Sequence, residues 1–277
     1  MAKKIAVIYH GECSDGFGGA YAAWKKFGNK AEYFGLKPND PSPKGLKGKE
    51  VYIIDFGFKK PIMEKLAKAN KKVVALDHHV SAEKTTKMAH EYVYALDHSG
   101  AAIAWKYFHP KKKLPELLRH IEDIDLWKFK LPDTRELLSF LQLADYDFKI
   151  WDKIARDIQN PKRKKGYLAK GGLILFYERK LVDRLVLKAT PVKFAGYKTL
   201  AVNSPILQSE IGNALTKKMP PIGIVWSEKE GGIRVSLRSN GKADVSKIAV
   251  KYGGGGHKAA AGFSFPAGGK FPWTHIK

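Results

Sequence analysis

Three short apolar runs, each of the length of a buried strand, end directly at His10, Asp55 and Asp77. Helical sequence separates the runs, as in the repeating strand–helix units that build parallel sheets with right-handed crossovers. In such sheets ligands bind outside the carboxyl ends of the strands. The sequence therefore predicts an α/β fold with a site at the sheet edge where these three polar residues meet.

The tripeptide Asp77-His78-His79 places one carboxylate and two imidazoles at the end of the third run. Because side chains alternate between faces along an extended strand, we predict that His78 and His79 point to opposite sides. One of them would bind a metal ion and the other would face a substrate. A pH-sensitive turn is the alternative that needs no metal.

Asp123 lies in a fourth acidic segment, residues 121–127, which follows a helical stretch. An isolated acidic pair usually caps a helix or faces solvent, but beside the other three sites we favour Asp123 as a metal ligand. Mixed histidine and aspartate donors suit Mn²⁺ or another first-row ion better than Ca²⁺. Asp55 is our candidate for a carboxylate that bridges two ions.

Taken together, these motifs resemble those of the DHH phosphoesterases, in the branch that carries a DHH-associated C-terminal domain. The resemblance covers nearly the whole chain. It rests on His10 with Asp15 and Gly16, on Asp55, on residues 77–79, on Asp123, and on the glycine run 253–256 with His257 and the segment 259–263. The residue sequences of the first and fourth motifs are most similar to those of the oligoribonucleases that degrade very short RNA.

The resemblance implies a centre of two Mn²⁺ ions, for which Mg²⁺ or Co²⁺ could substitute. The implied metal ligands are His10, Asp15, Asp55, His78 and Asp123. His79 would face the phosphate as a catalytic group, and Asp77 would ligate a metal or orient a ligand. The chain departs from the family pattern at one position, where many relatives have a second acid and this chain has Phe17. One ion would therefore be bound less tightly, or a water would complete its coordination. Cys13 is more typical of a small buried apolar group than of a ligand.

The C-terminal part contains a second set of anion-binding candidates. Successive glycines bring backbone N–H groups close to an anion, so the glycine run predicts a phosphate nest, with a flexible linker as the alternative. Residues 233–239 alternate as a half-buried strand, and arginine suits phosphate oxygens. Asn203 is compatible with a nucleoside contact or with a simple turn. The predicted substrate-binding residues are Arg238, Arg234, Ser236, Asn203, Gly254, Gly255, Gly256 and His257.

The net charge of +23, from 50 basic and 27 acidic residues, favours a polyanionic partner. Any single lysine run, such as 111–113 or 162–165, is typical of a solvated surface. The total excess predicts binding of short single-stranded RNA or DNA, and nothing in the sequence calls for an obligate protein partner.

The length of 277 residues favours two domains. We predict a catalytic domain over residues 1–145, a helical connector over 146–190, and a smaller α+β substrate-binding domain over 191–277, with a cleft between the two domains. No apolar run has membrane-spanning length, and no signal-peptide pattern is present. The single cysteine excludes an internal disulfide, so we expect a cytoplasmic protein.

The predicted function is metal-dependent hydrolysis of short oligonucleotides, with oligoribonucleotides cut to mononucleotides as the expected reaction. One alternative is a phosphoesterase for a small nucleotide such as a cyclic dinucleotide or 3′-phosphoadenosine 5′-phosphate. Another is a nucleic-acid-binding protein whose centre has decayed, an interpretation that Phe17 motivates. Inorganic pyrophosphatases share ligands of this type, but by resemblance they lack the glycine-rich C-terminal domain.

Overall fold

The computed structural model describes residues 3–11, 13–229 and 231–276. The chain divides into two compact units, Met1–Leu175 and Phe176–Lys277. The division falls inside one long helix, in the segment that the sequence assigns to a connector. Among the helices of the described ranges, none combines the length and the apolar character needed to cross a bilayer.

The first unit alternates strands and helices through its N-terminal half and then becomes helical. Its strands are β1 (Ile5–His10), β2 (Ala31–Leu36), β3 (Glu50–Ile54), β4 (Lys72–Asp77) and β5 (Glu91–Tyr94). Its helices are α1 (Ser14–Phe27), α2 (Lys60–Ala69), α3 (Glu83–Thr86), α4 (Gly100–Phe108), α5 (Glu116–Asp125), α6 (Thr134–Leu141), α7 (Phe148–Asp157) and the start of α8 (Pro161–Leu187).

The five strands form one parallel sheet in the order β2-β1-β3-β4-β5. The three runs that end at His10, Asp55 and Asp77 are therefore neighbouring strands, and their carboxyl ends share one edge. The predicted α/β class and the parallel N-terminal sheet are confirmed.

Both faces of this sheet are covered, which explains why its strands are apolar throughout. On one face, residues such as Val7, Ile54 and Leu76 pack against α1, α4 and α5. On the other, Ile53 and its neighbours pack against Met63 of α2. Burial on both sides fixes the strand register, and so it fixes where each strand ends.

Phe17 belongs to the core of the first unit. Its ring is 1% exposed, stacks on Phe148 at a centroid distance of 4.8 Å and meets Trp151 edge-on at 4.8 Å. The side chain at this position therefore fills the aromatic core between α1 and α7.

The second unit is built around a mostly antiparallel sheet of seven strands. Its elements are the end of α8, β6 (Thr190–Phe194), β7 (Tyr197–Asn203), α9 (Gln208–Lys218), β8 (Ile222–Lys229), β9 (Gly232–Ser239), α10 (Val245–Lys251), β10 (Gly255–His257), β11 (Ala260–Phe265) and β12 (Thr274–His275). The strand order is β10-β11-β9-β8-β7-β6-β12, and among the described strands the pair β7 and β8 is parallel. Helix α10 covers one face and α9 the other, so this unit is α+β, as predicted.

Candidate metal centre

Seven metal-competent side chains of the first unit gather at the carboxyl edge of the parallel sheet. They form three overlapping groups, in each of which the donor atoms lie within 4.8 Å of one another. The groups are His10 with Cys13 and Asp55, Asp55 with His78 and His79, and Asp15 with His78 and Asp125. Asp55 and His78 each belong to two groups. We refer to these seven residues as the strand-end cluster.

The first side of the cluster is formed where β1 turns into α1. Nδ1 of His10 lies 3.1 Å from Sγ of Cys13 and 3.7 Å from Oδ2 of Asp55. Cys13 caps α1, because its sulfur accepts a hydrogen bond from the N–H of Gly16. Burial and the nearby carboxylates raise the pKa of the Cys13 thiol well above its usual value, so the group is a protonated cap. A Cβ on Gly16 would lie 2.2 Å from the carbonyl oxygen of His10, so this close turn requires glycine.

Asp15 is held by the N-terminus of α4. Its two carboxylate oxygens accept hydrogen bonds from the N–H groups of Gly100 at 2.6 Å and Ala101 at 2.9 Å. Burial and the neighbouring Asp55 nevertheless raise the pKa of Asp15 to about 6. A Cβ on Gly100 would lie only 2.6 Å from Cβ of Asp55 and 3.0 Å from Oδ2 of Asp15. Gly100 therefore lets two acids approach each other, a role that the sequence analysis missed.

Asp55 lies at the centre of the cluster with an unusual backbone. It follows β3 at φ 53° and is 3% exposed. This left-handed conformation is costly for most residues but is tolerated by aspartate and asparagine. Burial favours the neutral acid, but hydrogen bonds from His10 and His78 outweigh burial and keep the pKa of Asp55 well below its usual value. The sequence proposed this residue as the bridging ligand, and its membership of two donor groups fits that role.

The two histidines after β4 do not point to opposite sides, contrary to the prediction. The strand ends at Asp77, so the alternation does not extend through His78 and His79, and their rings lie 4.5 Å apart. Nε2 of His78 lies 3.2 Å from Oδ1 of Asp55, and Nδ1 of His79 lies 3.5 Å from the same oxygen. They differ instead in exposure, which is 3% for the side chain of His78 and 35% for that of His79.

Asp77 orients this histidine pair. Its Oδ1 lies 2.9 Å from Nδ1 of His79 and accepts hydrogen bonds from the backbone N–H groups of His78 and His79. These contacts help raise the pKa of His79 to about 9, against the opposing effect of burial. These hydrogen bonds are those expected of a residue that orients a ligand, and Asp77 belongs to none of the three donor groups of the described residues.

The structure places Asp125, and not Asp123, at the cluster. Oδ2 of Asp125 lies 3.7 Å from Nε2 of His78, and partial burial together with Asp15 and Asp55 raises the pKa of Asp125 well above its usual value. The carboxylate of Asp123 is used within the fold. It accepts hydrogen bonds from the backbone N–H groups of Lys130 and Leu131 and from the hydroxyl of Thr134. The two acids lie two residues apart at the end of α5, where a helix points them in different directions.

The residues at this edge fit divalent metal ions. Asp15, Asp55 and Asp125 crowd together around the imidazole of His78, with His10 and His79 beside them. Like charges at this spacing are costly in a buried site unless a cation compensates them. Histidine nitrogens mixed with carboxylate oxygens are typical ligands of first-row ions.

Two of the predicted binding residues of the second unit, Arg238 and Asn203, form side-chain hydrogen bonds within the protein. The guanidinium of half-buried Arg238 donates to Oγ of Ser209 at 2.6 Å and to the carbonyl of Leu237 at 2.9 Å. Burial lowers the pKa of Arg238 below its usual value. Arg234 is exposed and Ser236 half-buried on the same face of β9, as the alternation predicts. Asn203 ends β7 and donates to the carbonyl of Trp226 at 3.1 Å.

The glycine run serves close backbone packing. The N–H groups of Gly253 and Gly254 donate to the carbonyls of Val250 and Ala249, at the end of α10. A Cβ on Gly254 would lie 2.0 Å from the carbonyl oxygen of Gly262 in the neighbouring strand. Gly255, Gly256 and His257 then form the edge strand β10. The run is thus a strand-forming segment rather than a linker.

Known proteins share parts of this sequence. Residues 194–272 match the DHHA1 domain. The chain is 30% identical over 288 aligned residues to the uncharacterized protein R106 of Acanthamoeba polyphaga mimivirus, covering 94% of this chain and 67% of R106. It is 44% identical over 64 residues to the oligoribonuclease NrnB of Bacillus subtilis, a match that covers 23% of this chain and 16% of NrnB.

Solved structures share the fold. A DHH domain described as a member of a family of ribosomal proteins aligns with a TM-score of 0.61 at 15% identity, over 95% of this chain and 83% of that one. RecJ from Thermus thermophilus, solved in complex with Mn²⁺, aligns with a TM-score of 0.54 at 15% identity, over 94% of this chain and 49% of RecJ.

Proposed function

We propose that this chain, in which residues 194–272 match the DHHA1 domain, is a metal-dependent phosphodiesterase of the DHH family that hydrolyses short single-stranded oligonucleotides to mononucleotides. The observation that carries the proposal is the strand-end cluster, in which Asp15, Asp55 and Asp125 are crowded around His78. Such a concentration of perturbed acids at the edge of a parallel sheet is typical of a catalytic centre.

The metal ligands that we propose are His10, Asp15, Asp55, His78 and Asp125, with Mn²⁺ as the preferred ion. Bound divalent ions polarise a phosphate and lower the pKa of a coordinated water. The protein holds the ligands in place through Gly100 and through the N-terminus of α4, which orients Asp15. Because these groups are fixed before substrate arrives, little reorganisation is needed during the reaction.

His79 is our candidate for the group that faces the substrate phosphate. Asp77 fixes its ring, and its side chain is the more exposed of the two histidines. A positioned imidazole can hydrogen-bond a phosphate oxygen or protonate the leaving oxygen, which typically contributes about 10²–10⁴ in rate. His79→Ala should therefore lower kcat by about that factor while the bound metal, measured after gel filtration, stays at the wild-type amount. Loss of metal from this variant would make His79 a ligand instead.

The second unit is proposed to bind the substrate's phosphate or nucleoside. The candidates remain Arg238, Arg234, Ser236, Asn203, Gly254, Gly255, Gly256 and His257, of which Arg234 and Asn203 are exposed and the residues of β10 are half-buried. The net charge of +23 supports a nucleic-acid substrate. The short NrnB match favours an oligoribonucleotide.

The deciding experiment is digestion of labelled RNA and DNA from dinucleotides upward, with Mn²⁺ and after exhaustive chelation. Cyclic dinucleotides and 3′-phosphoadenosine 5′-phosphate serve as competing substrates. We expect the highest kcat/KM with short RNA and no hydrolysis after chelation. Faster hydrolysis of a competing small nucleotide would replace the proposed substrate, and full activity without metal would contradict the proposed chemistry.

A further inference from the structure

The turn that follows α5 has an unusual conformation. Trp127 has φ 54° and Phe129 has φ 47°, so two aromatic residues within three positions adopt the left-handed region. For bulky side chains this conformation is a genuine outlier, and it persists only where the surroundings impose it. Trp127 is also 39% exposed, which leaves a large apolar ring in contact with water.

Asp123 imposes this conformation. Its backbone carbonyl accepts hydrogen bonds from the N–H groups of Lys128 at 2.8 Å and Phe129 at 3.3 Å. Its carboxylate accepts from the N–H groups of Lys130 and Leu131, as described above. One buried residue thus fixes four successive amides of the turn.

The aromatic side chains of the turn pack edge-on against each other, with a cation at one end. The rings of Trp127 and Phe129 meet edge-on at a centroid distance of 4.8 Å. The guanidinium of Arg135 lies 3.7 Å from the centre of the Phe129 ring, a cation–π contact. We refer to Trp127, Phe129 and Arg135 as the aromatic turn. Rings supported in this way lose little freedom when a further planar group stacks on them.

The aromatic turn is connected to the strand-end cluster through the chain and through one hydrogen bond. Trp127 lies two residues after Asp125, whose carboxylate is 3.7 Å from His78. The ammonium of Lys128 donates to the carbonyl of Asp97 at 3.1 Å, and this ties the turn to the loop that leads into Gly100. One attachment of the turn therefore leads to Asp125 of the cluster, and the other leads to Gly100, whose N–H holds Asp15.

We propose that Trp127 is a stacking platform for a nucleobase of the nucleotide whose phosphate lies at the metal centre. An exposed aromatic ring beside basic residues is the pattern by which proteins hold single-stranded nucleic acids without reading their sequence. Lys128 and Lys130 are exposed basic residues that flank the rings. This inference rests on the proposed function. It predicts that the enzyme binds a nucleotide with any base at this position more tightly than the corresponding abasic nucleotide.

The test compares a dinucleotide with the matched dinucleotide that lacks one base. Trp127→Ala should raise KM for the normal dinucleotide about 10-fold, since base stacking is typically of that magnitude, and should leave KM for the abasic compound unchanged. Trp127→Phe should restore most of the loss, because a phenyl ring still stacks. The same KM increase for both compounds, or no increase for either, would overturn the inference.

A second readout does not depend on catalysis. In the presence of Mn²⁺, titration with a hydrolysis-resistant analogue of the dinucleotide should quench the tryptophan fluorescence of the wild type. The control variant Trp24→Phe, which changes a ring packed against the core, should show the same quench. The quench should be weaker in Trp127→Phe than in the wild type. Quenching of undiminished amplitude in Trp127→Phe would overturn the platform. Absence of hydrolysis with Mn²⁺, with quenching still dependent on Trp127, would reject the proposed reaction while retaining the platform.

Discussion

The two units differ in how well their polar groups are satisfied by neighbouring groups of the protein. At the strand-end cluster, Asp15, Asp55 and Asp125 crowd together although their mutual repulsion disfavours this arrangement. In the second unit, Arg238 is bound by Ser209 and two glycines of the run 253–256 use their N–H groups within the fold. A buried group that conflicts with its neighbours needs an external partner, whereas a satisfied group is also explained by stability alone. The case for function is therefore stronger in the first unit.

Asp55→Asn should have the largest effect. Asparagine fits the left-handed backbone but is a poor bridging ligand, so we expect hydrolysis to fall by about 10³-fold or more and both ions to be lost on dialysis. Asp152→Asn is the control, since Asp152 pairs with Lys25 and Tyr21 away from the cluster. An Asp55→Asn variant with full metal content and activity would remove the distinction between the two units.

The variants Asp125→Asn and Asp123→Asn compare two acids at the end of the same helix, one at the metal centre and one hydrogen-bonded within the fold. Asp125→Asn removes a repelling charge, so the metal-free protein should be as stable as wild type or more stable, with about one ion lost. Asp123→Asn breaks hydrogen bonds of a buried carboxylate, which should cost about 1–3 kcal/mol, and the metal ligands remain. Thermal unfolding with chelator and metal analysis distinguish the two. The reverse pattern would restore Asp123 as the ligand.

Gly100→Ala and Gly172→Ala contrast a crowded glycine with an open one. A Cβ at position 100 would collide with Asp55, so we expect weaker metal binding and lower stability. A Cβ at position 172 meets nothing within 4 Å in the middle of α8, so alanine should stabilise the protein by about 1 kcal/mol. Tm and a metal titration measure both effects. Unchanged metal affinity in Gly100→Ala would show that the close approach of Asp15 and Asp55 is not required.

The smallest and most selective effect is expected in the second unit. Arg238→Ala should raise KM for a dinucleotide about 10-fold, as for loss of one charge-assisted contact, with kcat and metal content near wild type. Arg234→Ala tests the exposed arginine on the same face. If Arg238→Ala only lowers Tm and KM stays constant, its bond to Ser209 is structural and the proposed role is wrong.

The strand ends could be predicted from sequence because burial on both faces makes each strand a continuous apolar run. His10, Asp55 and the 77–79 motif follow from such runs, and the structure brings all three together. The prediction was wrong beyond the last paired residue of β4. It assumes that side chains continue to alternate as far as His79, whereas the strand ends at Asp77. A strand's period applies only where the sheet holds the backbone.

The choice between Asp123 and Asp125 depended on tertiary contacts. Both are acids in the same short segment. Asp123 is the one whose carboxylate is buried, because it accepts hydrogen bonds from the backbone amides of residues 130 and 131 and from the hydroxyl of Thr134. Gly100 was missed for a related reason, since its function is to be small beside residues distant in sequence. The Ser99-Gly100 pair before a helix was the available signal, because such a start offers free N–H groups to a carboxylate.

The left-handed backbone at Asp55 also governs how a gene for this chain would lose its activity. Asparagine and glycine tolerate that backbone, and single-nucleotide changes in aspartate codons produce both. Inactivation at this codon would therefore leave a folded, basic protein that still has its aromatic turn and its second unit. Such a descendant would retain the surfaces that we propose to bind short nucleic acids, without the ability to cut them.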